Sequence, residues 1–472
     1  MMPCSSIGVE AAAQCLGLAD ALLRRRFGDA YSRNLALREQ NAGLEGHHRG
    51  RPPEAVLAVE TLQDVRDAVE ICAGHGVPMV AHGAGTSLEG HLSAEFGGLS
   101  IDLRKMSRVV SVSPDNLLCR VEAGVTREQL NAELKAHGLF FPIDPGANAT
   151  LAGMASTRAS GTNAVLYGTM RDRVASLQVV LADGRVIETG RQAAKSAAGY
   201  DLTALFVGSE GTLGIITEVT LRLAGIPETI VAGVCPFESL EGCVRAVITA
   251  MQMGLPVARI ELLDDRQVAA VNAYSRLELA VRPTLFLEFH GSPAATAEQV
   301  QTMQMIAAEN GGGPLQFAER TEDRSRLWKA RHEAYFATKA MRPGCKVWST
   351  DVCVPIAHLA ESISAARADI DATGALATIV GHVGDGNFHV LFVMDPDDGD
   401  EALRVAGVNE RMVDRAIAVG GTCTGEHGIG LGKREALLRE RGAEAVALMN
   451  SLKQVIDPSG LFNPGKIFAT GG

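Results

Sequence analysis

The chain has 472 residues, of which 46% are hydrophobic and 21% charged, and its formal net charge is −11. These values are typical of a globular protein with two or more domains. The negative charge argues against nucleic acid or an anionic membrane surface as the main partner. Nine cysteines without a Cys-x-x-Cys pair predict reduced thiols. Neither a membrane span nor a targeting segment is indicated, so we expect a cytoplasmic protein.

The first half of the chain predicts alternating strands and helices. Near the N-terminus, ADALLRRRFGDAYSRN (residues 19–34) predicts a solvated helix and a loop. The apolar run Ala55–Val59 predicts a strand, after which Thr61 is expected to cap an amphipathic helix. A second cycle follows, with a strand in LCRVEAG and a helix in TREQLNAELKAHG. In that helix Thr126 and Gln129 have the spacing of a capping box.

Near residue 226 the pattern changes to longer strands and helices. Strands are predicted in TIVAGVCPF, ARIELLD, TLFLEFHG, STDVCVP and ATIVGHV, with helices near 239–254, 295–310 and 357–373. From about residue 400 the chain is mostly helical. The predicted parts are an N-terminal helical segment (1–50), a first α+β domain (51–226), a second α+β domain (227–420) and a C-terminal helical segment (421–472).

Three glycine-rich stretches lie in or near the first domain, each near a predicted strand. They are HGAGTSLEGH (His82–His91), the run Asp144–Asp172, and VGSEGTLGIIT (Val207–Thr217). A turn containing Gly83 and Gly85 can direct several backbone N–H groups at a pyrophosphate. Neither a Rossmann fingerprint nor a P-loop is present. Each loop alone could be a tight turn or a close-packing device, but three in one domain exceed what packing requires.

The stretch GHVGDGNFH (Gly381–His389) carries two histidines around a Gly-Asp-Gly-Asn turn. Strands on either side of the turn can bring His382 and His389 to one point, and CTGEHGIG adds Glu426. Two imidazoles and one carboxylate suit a divalent cation with open coordination positions. A histidine taken alone is more often a hydrogen-bonded core or loop residue. Asp385 is expected to be a turn residue rather than a ligand.

Together these stretches, with RPGCKVWSTDVCVP (342–355) and GTCTGEHGIGLGKR (421–434), resemble the vanillyl-alcohol-oxidase-like flavoproteins. Within that group they most resemble D-lactate dehydrogenases that pass electrons to cytochrome c. The resemblance implies an α+β fold. It also implies a PCMH-type FAD-binding domain of two α+β subdomains (51–226) and a substrate or cap domain with an antiparallel sheet (227–420). The segment 421–472 is expected to pack back on the FAD domain.

The resemblance also implies a set of residues that bind FAD. They are Gly83, Ala84, Gly85, Thr86, Ser87, Pro145, Gly146, Thr150, Gly153, Ser156, Thr157, Gly161, Ala164, Glu210, Gly211 and Ile216. Some relatives attach FAD covalently through a histidine in the first loop. The matching position here is Thr86, so non-covalent FAD is expected. His82 is then expected to be a structural histidine at the end of a strand.

A metal beside a flavin suits the oxidation of a 2-hydroxy acid, in which the hydroxyl loses a proton and C2 gives a hydride to flavin N5. The metal ligands are predicted to be His382, His389 and Glu426, with zinc or manganese as the ion. His427, beside the ligand glutamate, is the predicted general base. Arg331 is the predicted partner of the substrate carboxylate. Without the resemblance, Arg331 would be interpreted as a helix-surface arginine.

Two positions bear on the tail of the substrate. Where the D-2-hydroxyglutarate relatives carry a lysine and an asparagine, this chain has Ser349 and Leu391. Both of the replaced groups would address a second, distal carboxylate. Their absence implies a monocarboxylate with a small or apolar tail, such as D-lactate.

We therefore predict an FAD- and metal-dependent D-2-hydroxyacid dehydrogenase. The alternatives are the flavin subunit of a glycolate oxidase complex, a D-2-hydroxyglutarate dehydrogenase and, in a different class, a metal-dependent hydrolase. The hydrolase would leave the three glycine loops unexplained. The implied partners are a small 2-hydroxy acid and an external electron acceptor, namely cytochrome c, a quinone or an electron-transfer flavoprotein. No nucleic acid and no integral membrane segment are predicted, and a homodimer is considered.

Overall fold

The computed structural model describes residues 9–43, 45–48, 50–318 and 321–468. Its strands are β1 Tyr31–Ser32, β2 Ala55–Ala58, β3 Met79–His82, β4 Leu99–Asp102, β5 Val109–Ser113, β6 Leu118–Glu122, β7 Leu139–Phe140, β8 Val174–Val180, β9 Val186–Glu188, β10 Ile215–Arg222, β11 Ala224–Gly225, β12 Thr229–Pro236, β13 Val257–Leu263, β14 Thr284–Gly291, β15 Gln316–Ala318, β16 Lys346–Ser349, β17 Val352–Cys353, β18 Ala377–His382 and β19 Asn387–Met394.

Its helices are α1 Val9–Phe27, α2 Leu35–Gln40, α3 Leu62–His75, α4 Arg127–Leu134, α5 Leu151–Thr157, α6 Ala164–Tyr167, α7 Met170–Arg173, α8 Leu202–Phe206, α9 Leu240–Gln252, α10 Asp265–Ser275, α11 Pro293–Glu309, α12 Thr321–His332, α13 Ala334–Ala340, α14 Leu359–Thr373, α15 Gly399–Ala418 and α16 Arg434–Ile456. The last helix is interrupted at Gly442, whose φ is 77°. Single 3-10 turns lie at Gly28–Ala30, Pro114–Asn116, Lys135–His137, Ile356–His358 and Val383–Asp385.

By their internal contacts the residues form two compact units. Unit 1 consists of residues 1–160, 169–226 and 426–472, and unit 2 consists of residues 161–168 and 227–425. The chain thus leaves unit 1 after Ile226 and returns to it at Glu426. The domain limits predicted from the sequence (50, 226 and 420) remain predictions.

Unit 1 contains a mixed sheet and an antiparallel sheet. The mixed sheet has the order β1-β2-β4-β3, with β2 and β3 both parallel to β4. The antiparallel sheet has the order β5-β6-β10-β8-β9, and β7 pairs with β11. The C-terminal run adds to the edge of the mixed sheet, because Phe462 bridges Met79. Buried side chains from both sheets and from α1, α3, α4 and α5 form one apolar core.

The first helix is not solvated on all sides, as the sequence had led us to expect. Leu16, Ala19 and Leu23 are fully buried in the core of unit 1. Their spacing places them on one face of α1. The arginines that follow do face solvent, since the side chain of Arg24 is 55% exposed. The prediction of a solvated helix is therefore wrong for one face.

The predicted helix caps are confirmed in part. The Thr61 hydroxyl accepts the backbone N–H of Asp64, and the Asp64 carboxylate accepts the backbone N–H of Thr61, so α3 begins with a full capping box. Thr126 accepts the backbone N–H of Gln129 at 3.3 Å. The Gln129 amide donates to the carbonyl of Ser107 instead of closing back on the cap. The reciprocal half of the predicted capping box on α4 is thus absent.

Unit 2 is built on an antiparallel sheet of eight strands. Its order is β15-β12-β14-β13-β18-β19-β16, and β17 also pairs with β19. Helices α9, α11, α14 and α15 form one packed group, and α10, α12 and α13 another. The strand predicted in STDVCVP is in fact two short strands, Lys346–Ser349 and Val352–Cys353, separated by Thr350 and Asp351. This break matters for the site, because both intervening residues contact its histidines or its loops.

The cysteines agree with the prediction of reduced thiols. No disulfide joins any two of the eight cysteines among the described residues, and six of them are buried. Cys4 lies outside the described residues. A separate point concerns membranes: none of the described helices combines the length and apolarity needed to cross a bilayer.

Candidate active site

The first glycine-rich loop follows β3 without a helix after it, as the missing Rossmann fingerprint predicted. Residues 83–98 are irregular. Gly85 and Gly90 have φ values of 81° and 73°, which favour glycine. His82 ends the strand and is 3% exposed, which agrees with a structural role. Burial lowers the pKa of His82, and the nearby Asp102 carboxylate only partly offsets this effect.

A buried hydroxyl of the second loop faces the first loop. Thr150 directly precedes α5, is 2% exposed, and its Oγ1 has no hydrogen-bond partner among the described residues. A Cβ atom on Gly153 would lie 2.9 Å from this oxygen, and one on Gly83 would also contact it. Side chains at these glycines would therefore fill the space around the hydroxyl. A bare cradle with an unused buried hydroxyl fits FAD, so the residues present suit the cofactor that the sequence implied.

The other predicted FAD contacts lie in the following places. Ala84, Thr86 and Ser87 share the irregular segment after β3, Pro145 and Gly146 precede α5, Ser156 and Thr157 end α5, Gly161 lies just before α6 and Ala164 begins it, Glu210 and Gly211 form a turn after α8, and Ile216 lies in β10. The backbone N–H of Glu210 donates to the carbonyl of Ser156 at 2.8 Å, which ties the second loop to the third. The side chain of Ile216 belongs to the apolar core.

Glu210 uses its side chain to hold another part of unit 1. Its carboxylate accepts hydrogen bonds from the backbone N–H groups of Ile429 (2.7 Å) and Gly430 (2.8 Å), and it lies 3.2 Å from the Nε2 of His91. Its φ of 54° is unusual for a residue with a side chain and is maintained by these contacts. Burial opposes ionisation, but His91 and the two backbone amides lower the pKa of Glu210. Glu210 therefore anchors the run that follows His427.

The two predicted metal histidines are brought together by strand register. In the antiparallel pair of β18 and β19, Val380 lies opposite His389 and His382 lies opposite Asn387. His382 and His389 are therefore diagonal neighbours on one face of the sheet. Their ring centroids are 5.4 Å apart, with the rings nearly perpendicular. Asp385 lies in the 3-10 turn between the strands, as predicted.

The contacts of Thr424 and Gly425, the two residues just before Glu426, fix the position of Glu426. The hydroxyl of Thr424 donates to Asp351 at 2.7 Å, and a Cβ on Gly425 would collide with the side-chain amide of Asn387. One atom each of His382, His389 and Glu426 then lie within 4.8 Å of one another. Ligand atoms on one zinc ion lie roughly 3 to 4 Å apart. Small side-chain movements would therefore close this set on a divalent cation.

Each histidine of the set has its other ring nitrogen engaged. His382 Nδ1 lies 2.7 Å from Glu261 Oε1, and His389 Nδ1 lies 2.9 Å from the carbonyl oxygen of Thr350. Both partners are acceptors, so Nδ1 carries the proton and Nε2 remains for a metal. Sequence reasoning missed Glu261. A carboxylate between Ile260 and Leu262 in an apolar strand was the signal that could have found it.

Arg331 is buried rather than exposed on its helix. It is 7% exposed, and its Nη2 donates to Glu261 Oε2 at 2.5 Å. The alternative interpretation of Arg331 as a helix-surface residue is therefore wrong. Its Nε has no hydrogen-bond partner among the described residues. Burial opposes ionisation of Glu261, but its contacts with His382 and Arg331 lower the pKa of its carboxyl group.

His427 lies in a partly buried cluster of charged groups in unit 1. Its Nδ1 is 4.0 Å from Glu89 Oε1, and Glu89 also lies 3.4 Å from Lys433 Nζ and 3.3 Å from His48 Nε2. Burial opposes ionisation of Glu89, but Lys433 above all lowers its pKa to about 2. Glu89 belongs to the first glycine-rich loop, yet sequence reasoning did not identify it. It gives the predicted general base a nearby carboxylate.

The two positions that bear on substrate choice face each other. In the pair of β16 and β19, Ser349 lies directly opposite Leu391. Leu391 is two residues beyond His389 on the same strand, so both side chains lie on the same face of the sheet. Leu391 is 3% exposed and belongs to the apolar core of unit 2. Neither residue itself supplies a cation or an amide.

Comparison with known families agrees with a flavin site and an oxidase partner domain. Residues 53–190 match the family described as FAD binding domain, and residues 226–467 match the family described as FAD linked oxidases, C-terminal domain. The chain belongs to the FAD-linked oxidase family and is a flavoprotein oxidoreductase. These matches leave no ground for the alternative of a metal-dependent hydrolase.

Relatives with known names are similar over most of the chain. A probable mitochondrial D-lactate dehydrogenase of Danio rerio is 52% identical, covering 92% of this chain and 88% of its own. A mitochondrial D-lactate dehydrogenase [cytochrome] of Arabidopsis thaliana is 45% identical, covering 88% and 73%. The glycolate oxidase subunit GlcD of Bacillus subtilis is 33% identical, covering 88% and 89%. The chain is thus a D-lactate dehydrogenase-like enzyme, and the expected cytoplasmic location stays a prediction beside the two mitochondrial names.

Solved structures show the same fold at low sequence identity. The structure of p-cresol methylhydroxylase with substrate bound has a TM-score of 0.80 at 17% identity, covering 97% of this chain and 98% of that one. An alkyldihydroxyacetonephosphate synthase has a TM-score of 0.74 at 19% identity, covering 95% and 84%. These likenesses confirm the predicted α+β fold with a PCMH-type FAD-binding domain.

Proposed function

We propose that the chain is an FAD- and divalent-metal-dependent dehydrogenase that oxidises a small D-2-hydroxy acid, D-lactate first, to the 2-keto acid. The observation that carries the proposal is the set of His382, His389 and Glu426, whose ligand atoms lie within 4.8 Å of one another in a flavoprotein. The names of the similar D-lactate dehydrogenases support the choice of substrate.

His382, His389 and Glu426 would hold the metal, and the three glycine-rich loops would hold the FAD. Zinc or manganese suits a set of two imidazoles and one carboxylate with open positions. When bound, the metal supplies Lewis acidity toward the substrate hydroxyl, and the FAD supplies a two-electron acceptor. The side chains of the protein bind and orient the substrate and move its hydroxyl proton.

His427 takes the hydroxyl proton of the substrate. Its imidazole has the Glu89 carboxylate 4.0 Å from Nδ1, which stabilises the imidazolium that forms. The C2 hydrogen leaves as a hydride with two electrons, so the alcohol becomes a ketone. The hydroxyl proton ends on His427.

Arg331 binds the substrate carboxylate. Its guanidinium is held by Glu261 through Nη2, and its Nε is buried without a hydrogen-bond partner among the described residues. A buried donor in this state favours an acceptor from outside the protein, because an unmade hydrogen bond at such a group costs about 1–3 kcal/mol. The carboxylate of a 2-hydroxy acid meets this requirement.

The reduced enzyme passes its electrons to an external acceptor. Cytochrome c is the first candidate, since several similar proteins carry the word cytochrome in their names. A quinone or an electron-transfer flavoprotein would meet the same chemical need.

A substrate panel tests the proposal. D-lactate, L-lactate, glycolate and D-2-hydroxyglutarate are compared by kcat/KM with an artificial dye as acceptor, using protein with measured FAD and metal content. We expect D-lactate to give the highest value and L-lactate hardly any turnover. A higher value for glycolate would replace the proposal with a glycolate oxidase function. No turnover with any of the four acids by FAD-loaded, metal-loaded protein would refute it.

A further inference from the structure

Glu261 lies where the register of two strands decides which side chain it meets. Strands β13 and β18 are antiparallel, with Leu262 opposite Gly381. Continuing this register by one residue places Glu261 opposite His382 on the same face of the sheet. The carboxylate and the imidazole are therefore cross-strand neighbours, and their contact follows from the sheet itself.

The two oxygens of Glu261 serve two different partners. Oε1 lies 2.7 Å from Nδ1 of His382, and Oε2 lies 2.5 Å from Nη2 of Arg331. Glu261 is 1% exposed. A buried carboxylate with both oxygens engaged by charged or strongly donating groups has a fixed orientation. Its position in turn fixes the imidazole and the guanidinium that it contacts.

The two histidines of the metal set differ in their outer partners. His389 donates from Nδ1 to the backbone carbonyl of Thr350, and the buried Asp351 carboxylate lies farther away, 3.7 Å from the same nitrogen. His382 has a carboxylate in the same role. A carboxylate partner raises the basicity of the ligating imidazole and fixes its ring, and loss of such partners typically weakens metal binding about 10- to 100-fold. His382 is therefore the histidine of the pair whose outer partner is a carboxylate at direct hydrogen-bond distance.

The Glu261 carboxylate also determines which part of the Arg331 guanidinium can bind another acceptor. Because Nη2 is bound to Glu261, the guanidinium cannot rotate freely, and its Nε edge remains for another acceptor. Glu261 also balances the charge of this buried arginine. One residue thus contacts both a proposed metal ligand and the proposed partner of the substrate carboxylate.

We propose that Glu261 is a positioning residue for both parts of substrate binding: it orients His382 toward the metal and Arg331 toward the substrate carboxylate. This inference rests on the proposed function, because it assigns Glu261 to the same site. It predicts that one substitution weakens metal affinity and substrate affinity together, although Glu261 is neither a metal ligand nor a substrate contact.

The test is the zinc affinity of metal-stripped, FAD-loaded protein, measured by competition with a chromophoric chelator. Glu261→Gln keeps the shape of the side chain but removes its charge and turns a donor toward one of its partners. We expect zinc binding to weaken about 10- to 100-fold. In zinc-saturated enzyme, KM for D-lactate should rise by a larger factor than kcat falls. A purely structural role would lower the yield of folded protein without this separation.

The matched control is Glu288→Gln in the neighbouring strand β14. Glu288 is also buried, with Nε2 of His290 at 2.8 Å and Nε of Arg259 at 3.6 Å. It has the same kinds of partners, but His290 is not part of the metal set. This variant should bind zinc with wild-type affinity.

His382→Ala in the same titration separates two kinds of failure. If it binds zinc as tightly as the wild type, the metal site and the proposed function both fail. If it loses zinc while Glu261→Gln matches the Glu288→Gln control, only the inference about Glu261 is overturned. Should Glu261→Gln not fold, Glu261→Asp keeps the charge but shortens its reach, and wild-type zinc affinity in that variant would overturn the inference equally.

Discussion

Two groups of candidate-site residues, one in each unit, are built in opposite ways. In unit 1 the site consists of backbone and of missing side chains, as where Gly83 and Gly153 leave space around the Thr150 hydroxyl. In unit 2 it consists of charged and aromatic side chains projecting from one face of a sheet, as with His382 and His389. The first kind of site is sensitive to added atoms, and the second is sensitive to removed ones.

This contrast separates the effects that substitutions should have. A cofactor cradle of glycines loses affinity when a methyl group is added, while the rest of the chain is unaffected. A metal set on paired strands loses its ion when one ligand is truncated, because the strands themselves remain paired. Loss of FAD and loss of metal should therefore be separable by mutation.

The largest expected effect comes from the metal ligands. His382→Ala, His389→Ala and Glu426→Gln should each lower kcat/KM for D-lactate about ten-thousandfold or more, since Lewis acidity and substrate orientation are lost together. FAD content should remain at the wild-type level. The measurements are metal content by elemental analysis, flavin absorbance and turnover with a dye acceptor.

A matched control for these variants is His290→Ala. His290 is a largely shielded histidine of the same sheet, with its side chain 7% exposed, and it also contacts a glutamate. The His290→Ala variant should bind metal as the wild type does. Full metal occupancy in all three ligand variants would rule out the assignment.

The next effect concerns the tail of the substrate. With Ser349 and Leu391 facing each other beside the histidines, a distal carboxylate has lost two partners. One unmade charge-assisted hydrogen bond costs about 1.5–3 kcal/mol, so two disfavour D-2-hydroxyglutarate by roughly two to four powers of ten. D-2-hydroxybutyrate, which extends the tail without charge, should behave like D-lactate. The values of kcat/KM for the three acids test this prediction. A kcat/KM for D-2-hydroxyglutarate equal to that for D-lactate would contradict it.

A smaller effect concerns acid stability in unit 1. The pKa of Glu89 in the folded protein is about 2, below the ordinary 4.5, so its ionised form stabilises the folded state. That contribution is complete above about pH 4.5 and is lost as the pH falls toward 2. The difference in unfolding free energy between wild type and Glu89→Gln should shrink by about 2 kcal/mol between pH 6 and pH 3.

Urea unfolding at both pH values measures this difference. Glu39→Gln, at an exposed position, is the control and should leave the acid dependence unchanged. A difference that stays constant or grows on acidification would show that Glu89 is not held ionised by its neighbours.

The smallest effect tests the glycine cradle. A Cβ on Gly83 would contact the Thr150 hydroxyl, whereas a Cβ on Gly17 would meet nothing within 4 Å. Gly83→Ala should weaken FAD binding about tenfold, since overpacking of a close contact costs roughly 1–3 kcal/mol. Gly17→Ala should bind FAD as the wild type does. Fluorescence titration of stripped protein with FAD makes the comparison, and equal affinities would place FAD elsewhere.

Local features of the fold were predictable from the sequence. The Thr61 cap, the turn at Asp385 and the pairing of strands on either side of it depend on residues close together in the chain. His382 and His389 fall on one face because the turn between them fixes the register. Local sequence therefore held enough information for two of the three proposed ligands.

Other features depend on contacts that no local pattern encodes. Glu261 meets His382 across 121 residues, and Glu89 meets Lys433 through the fold of unit 1. Their partners are set by strand register and by the return of the chain, which follow from the whole core. The arginine run at the end of α1 likewise concealed the buried face on which Leu16 lies. Glu426 was predicted as a metal ligand from the resemblance to a family, rather than from its spacing in the sequence.

The most direct test of the central claim is anaerobic reduction of the bound flavin by D-lactate in a single turnover, followed by absorbance. Enzyme stripped of metal by a chelator but loaded with FAD should show almost no bleaching. Added zinc or manganese should restore rapid bleaching with D-lactate, and L-lactate should give hardly any. Bleaching at the same rate with and without metal would contradict the claim that this flavoprotein uses His382, His389 and Glu426 to bind a catalytic cation.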